Sequence, residues 1–122
     1  MKSLSVVICF VTLTISAQAG AQSDVGYATV ADARKAVSAL PGAKKSEQQG
    51  WLIVEQMPVL WSFAPVGHEA YPSAVKRTMV QRDGRIDLDM AVLCEAPKPA
   101  CDRLAAEFKS LNDQMKRNLG SR

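Results

Sequence analysis

Histidine is nearly absent from this chain. One of its 122 residues, His68, carries an imidazole, and cysteine occurs three times. A zinc or copper centre draws three or four ligands from His, Cys and carboxylates, so one histidine with the neighbouring Glu69 does not make one, and no metal or cofactor is expected. Cys94 and Cys101 lack the Cys-x-x-Cys spacing that activates a thiol at a helix start. Ser62 and Ser73 lack the Gly-x-Ser-x-Gly setting of an activated serine. Beyond the first fifteen residues there is no apolar run approaching the roughly 20 residues that span a bilayer. The chain also lacks internal repeats, low-complexity segments and a concentrated basic stripe of the kind that tracks a phosphate backbone, so nucleic acid is not an expected partner.

The N-terminus follows the plan of a secretory signal peptide. Lys2 supplies the positive start, Leu4 to Ile15 the apolar stretch, and Ala17-Gln18-Ala19 or the overlapping Ala19-Gly20-Ala21 the small-residue cleavage site. The expected organisation is a signal peptide over 1–21 and one domain over 22–122, periplasmic or secreted, with no stable membrane insertion after cleavage. Cys9 falls within the apolar stretch, without the small-residue context of a lipoprotein site, and leaves with it. All twelve acids lie beyond residue 21 with fourteen of the fifteen Lys and Arg residues, so the remaining charge is nearly balanced at +2. About a hundred residues suit one modest core.

Thr29 is suited to cap a helix, with Asp32 in its first turn. Val30, Ala33, Val37 and Leu40 recur at helical spacing before Pro41-Gly42 ends the element. Ala43 to Gln49 is polar and reads as an edge strand or a loop, with Gly50 as its hinge. Trp51 to Met57 and Val59 to Ala64, rich in β-branched and aromatic residues, read as largely buried strands interrupted at Pro58. Pro65 to Pro72 is a long turn-rich connection. Ala74 to Arg82 and Arg85 to Leu93 flank Asp83-Gly84, the dipeptide suited to a two-residue hairpin turn. In that register Arg82 faces Arg85, Val80 faces Asp87, Thr78 faces Asp89, and Arg77 faces Met90. A final helix runs from about Pro99 to Leu119, with Leu104, Phe108, Leu111 and Met115 as its apolar stripe.

These elements predict an α+β fold: a small two-layer domain in which an antiparallel sheet of three to five strands is packed by an N-terminal and a C-terminal helix. In an oxidising compartment Cys94 and Cys101 read as one disulfide that pins the last helix to the sheet. Asp87 and Asp89 share a sheet face with Lys76, Arg82 and Arg85, and read as an exposed charge-paired surface.

The group that invites a functional reading is His68, Tyr71, Lys76 and Arg77. The predicted hairpin puts Arg77 among Val75, Met79, Ile86, Leu88, Met90 and Val92, and a guanidinium on an apolar face needs a carboxylate, a carbonyl, an aromatic ring or water. One account places it at the sheet margin. The other makes it, with Tyr71 and His68, a site for an anion or a peptide carboxylate.

The run from Trp61 to Arg77, Trp-Ser-Phe-Ala-Pro-Val-Gly-His-Glu-Ala-Tyr-Pro-Ser-Ala-Val-Lys-Arg, resembles a segment of an uncharacterised family of small secreted proteobacterial proteins. The resemblance extends from the first helix through the Cys94 to Cys101 loop and implies no function. A J-domain requires His-Pro-Asp between helices, whereas His68-Glu69-Ala70 lies among predicted strands. The expected function is a non-catalytic exported module that recognises an envelope protein or a small anionic ligand through residues 65–77. The alternatives are a small envelope hydrolase with His68 as general base and an inhibitor of an envelope enzyme.

Overall fold

The computed structural model of the protein describes residues 24–120, so the signal-peptide reading lies outside the described residues. The elements run α1 (Val30–Ser38), β1 (Lys44–Gln48), β2 (Trp51–Gln56), β3 (Val59–Phe63), β4 (Ser73–Arg82), β5 (Arg85–Cys94) and α2 (Lys98–Gly120). Asp83 and Gly84 adopt positive φ of 52° and 75°, which matches the twist of a two-residue hairpin turn. Every β4–β5 pair expected from that turn is present, from Arg82 opposite Arg85 to Ala74 opposite Leu93, and Ser73 opposite Cys94 extends the ladder. Gln49 and Gly50, with φ of 52° and 82°, make a similar turn between β1 and β2. A Cβ on Gly50 would come within 3.2 Å of the Pro65 side chain, so close approach and positive φ both favour glycine there. The polar stretch before it is edge strand β1, whose five residues are all exposed. Its two lysines suit an edge that must not recruit other strands.

The five strands form one antiparallel sheet whose spatial order is the chain order. Side chains alternate between its faces. On one face Val54, Trp61, Phe63, Ala74 and Ala91 pack with Val30, Ala33 and Val37 of α1. On the other, Val75 with the half-buried Met90 and Val92 packs with Ala100, Leu104 and Phe108 of α2 and with Ala70. The α+β class, the antiparallel sheet, the two helices and the Cys94–Cys101 disulfide are as the sequence implies. The layer count differs. Because central strands carry apolar residues on both faces, each face needs a cover, and the sheet becomes the middle of three layers rather than one of two.

Local chemistry fixes both helices. The Thr29 hydroxyl accepts the Asp32 N–H at 3.1 Å and caps α1. In α2 the buried seam is Ala100, Leu104, Phe108 and Asn112 at four-residue spacing, so a polar Asn holds a place expected of an apolar residue. Leu111, expected in the stripe, is 45% exposed because it stands one position off that seam. The disulfide joins the last residue of β5 to the first turn of α2. Among the described residues no helix is long and apolar enough to cross a membrane.

Closing so short a loop stabilises the fold by about 2.5 kcal/mol through the unfolded chain. The Cys94→Ser, Cys101→Ser double variant is expected to lose about that amount in urea unfolding. An unchanged midpoint would show that the cross-link is dispensable for stability.

Candidate functional site

Helix α2 packs chiefly on β5, and it leaves the same face of β2 and β3 partly open. The result is a groove of about 440 Å³ between that face and the helix. Its walls are Trp51 and Ile53 from β2, Phe108, Leu111 and Glu107 from α2, Gln48 at the end of β1 and Gln49 from the turn that follows it. Ser62 of β3, Arg77 of β4 and His68 of the long loop complete the lining.

Arg77 is the anomaly in this groove. It is only 7% exposed and has no acidic partner among the described residues. Its Nη1 donates to Asn112 Oδ1 at 3.4 Å, long for a bond to oxygen, and to the Met115 sulfur at 3.4 Å, and its guanidinium carbon stands 5.1 Å from the Phe108 ring centre. Burial pushes its pKa below the ordinary arginine value, and no nearby carboxylate opposes that shift. Its Nε is buried without a hydrogen-bond partner, and so is the hydroxyl of Ser62, itself 1% exposed. Ser62 is paired with Val75, two residues from Arg77 on the same face of the neighbouring strand. Two residues with unsatisfied donors therefore line one groove, the donor atoms themselves lying just beneath its surface.

The loop that supplies His68 is well anchored. Two backbone turns, His68 N–H to Pro65 O at 3.1 Å and Tyr71 N–H to His68 O at 3.0 Å, shape it. Ala70 is fully buried, and Glu69 accepts two bonds from Arg103 of α2 at 2.8 and 2.9 Å. The bond from Arg103 is the main cause that holds the Glu69 carboxyl below the usual carboxylate range. The His68 ring meets Trp51 edge to face at 5.1 Å, and its Nδ1 accepts the Ala70 N–H at 3.0 Å. In the neutral imidazole that bond fixes the proton on Nε2, the tautomer of a donor. No hydrogen bond joins Ser62 to His68.

Of the four residues singled out in the sequence, the structure brings His68 and Arg77 together. Lys76 lies on the opposite face, with its Nζ 5.6 Å from the centre of the Trp61 ring. Tyr71 is 43% exposed on the loop and is not part of the groove lining. Sequence reading placed Trp51 and Phe108 in the core and passed over Asn112. A polar residue four positions after Phe108, on the buried stripe, was the available signal. Asp87 and Asp89 are both bound by Arg82 at 2.9 Å, and Lys116 reaches Asp87 at 3.4 Å, as suits a charge-paired surface.

A larger crevice of about 990 Å³ at the hairpin tip includes Arg82, Arg85 and Lys116. Arg82 and Lys116 are already engaged by carboxylates, so the smaller groove with its unsatisfied donors is the better candidate. Among the described residues no group of three His, Cys, Asp or Glu side chains is placed to hold a metal ion. No family model, curated protein or solved structure matches the chain.

Two outcomes follow from this geometry. Ser62→Ala and Ser73→Ala each remove a buried hydroxyl without a partner, so each variant is expected to be as stable as the parent or up to about 1 kcal/mol more stable. A loss above that amount in chemical denaturation would mean that the hydroxyls are satisfied in solution. The second concerns pH. Because the folded Glu69 pKa is depressed, the contribution of its pair with Arg103 is fully present above the unfolded value near about 4.3 and is lost as pH falls through the folded value. The Glu69→Gln protein should therefore show a shallower acid-unfolding limb below about pH 4.3, and an identical limb would contradict the assignment.

Proposed function

We propose that this chain is an exported, non-catalytic binding module that takes a small anionic ligand in the groove floored by Arg77. The observation that carries the reading is a buried guanidinium with neutral partners only and an unpartnered Nε. A buried charge without a counter-charge costs several kcal/mol, and the Asn112 carbonyl and the Phe108 ring recover part of that. A ligand that brings the negative charge supplies the remainder on binding. The half-buried Trp51 and exposed Leu111 add apolar wall, the usual partner of a few fixed polar groups in a small-molecule site.

Export is supported by the charged, apolar and small-residue order of the first twenty-one residues and by a disulfide, which persists in oxidising compartments. His68 in this reading is a donor at the groove wall, consistent with its Nδ1 bond to Ala70. Tyr71 and Lys76 have no part in it.

Native mass spectrometry of the protein isolated from its own export compartment, beside Arg77→Met, tests the proposal. Methionine preserves length and apolar volume while removing the uncompensated charge, so the variant should fold with a midpoint at or above that of the parent. The expected result is a small retained mass on the parent that is absent from the variant. A bare monomer in both, or a retained mass that survives the substitution, would overturn the reading.

A further inference from the structure

We infer that the ligand is a monocarboxylate with an aromatic or branched apolar body, its carboxylate seated on the Nε side of Arg77 beside Ser62. This rests on the anion-binding reading above and narrows it to one chemistry.

Charge comes first. Among the described residues Arg77 is the only Lys or Arg in the groove lining, and Glu107 stands on the α2 wall. A dianion such as a phosphate ester would enter with one cation facing it and an acid nearby. Phosphate sites also draw on backbone N–H groups at helix starts. This groove meets α2 at Glu107, Phe108 and Leu111, about 13 Å along the axis from its first residue, where backbone N–H groups are spent within the helix. A single negative charge fits this lining and a double one does not.

Geometry comes second. The Nη1 corner of the guanidinium is turned to Asn112 and Met115, which leaves the Nε side without a partner. A planar carboxylate matches two parallel N–H donors along one side of a guanidinium. Ser62 holds the strand position diagonal to Arg77, a spacing of about 7 to 8 Å between such positions, and its hydroxyl is a third donor for the same group. Both donor atoms lie just beneath the groove surface, and one carboxylate answers both once these side chains turn toward it on binding.

The walls define the body. Trp51 and Phe108 lean together with ring centres 5.6 Å apart, and Ile53 and Leu111 complete the apolar surface. With about 440 Å³ available, the groove suits a ring or a branched chain attached to the acid. That chemistry exists in free aryl and alkyl acids and at the C-terminus of a peptide ending in Phe or Leu.

Isothermal titration calorimetry on the oxidised protein separates these cases with defined probes: 3-phenylpropanoate, its neutral amide, phenyl phosphate, and acetyl-Gly-Gly-Phe with a free or amidated C-terminus. Both carboxylate arms are read against their amides, and the tighter of the two names the source. The amides and the Arg77→Lys protein are expected to bind at least about tenfold more weakly, since lysine keeps the charge but loses the paired donors. Ser62→Ala should weaken binding several-fold while Ser73→Ala, outside the groove, leaves it unchanged. Ser62→Ala loses no hydrogen bond within the protein, so it carries the test if Arg77→Lys fails to fold. Phenyl phosphate binding more tightly than the acid, and in an Arg77-dependent way, would overturn the carboxylate assignment while leaving the anion site standing. If no probe binds, or binding is indifferent to both Arg77 and Ser62, the groove reading falls with it.

Discussion

The alternation of side chains along β4 divides this molecule, and everything else is arranged around that division. Ser73, Val75 and Arg77 face α2, while Ala74 and Lys76 face α1. The Asp83-Gly84 turn sets the phase by pairing β4 with β5 across ten positions. A slip of one residue would exchange the faces of Lys76 and Arg77, bury the wrong cation and turn Val75 toward α1 in place of the smaller Ala74. Because the strand is apolar on both sides at its centre, neither helix is optional. The groove is a consequence of the same constraint: α2 must cover Val75 and Val92, and in doing so it leaves part of β2 and β3 uncovered.

The arginines show how unevenly charge is treated. Arg82 and Arg103 are exposed, yet each is held by carboxylate hydrogen bonds that raise its pKa. Arg77 is buried and is given an amide oxygen, a thioether and a ring. Acids thus sit where solvent already screens the cation and are missing where desolvation is greatest. The loop beside the groove follows the first pattern, since Glu69 ties it to Arg103 while Ala70 holds it from below.

Much of the fold was legible because it is local. A capping Thr, an Asp-Gly turn, a proline-rich connection and two cysteines each act over a few residues, and each produced the expected element. Legibility failed where distant elements meet. In α2 the four-residue spacing of Ala100, Leu104 and Phe108 leads on to Asn112, but Leu111 has the right chemistry at the wrong angle and draws the apolar stripe away from it. The layer count failed similarly, since a helix at each end of the chain does not declare which face it covers. For the site, the isolation of Arg77 on an apolar face was readable from register alone. The same register already puts Lys76 on the opposite face, so grouping it with Arg77 joined two residues that the period of two separates. Ser62 and Phe108 joined the groove only through three-dimensional packing.

The strand order matches the chain order, and that simple topology bears on how the molecule is assembled. Each sheet neighbour is also a sequence neighbour, so the ladders close short loops and the entropy of chain closure stays low. The helices are the long-range additions. The contact of Trp51 with Phe108 and that of Arg77 with Asn112 join segments separated by much of the domain. The meander can register itself before either pair meets, and the groove takes shape only when the last helix docks. A nascent chain of this topology can therefore complete its sheet first and its groove last.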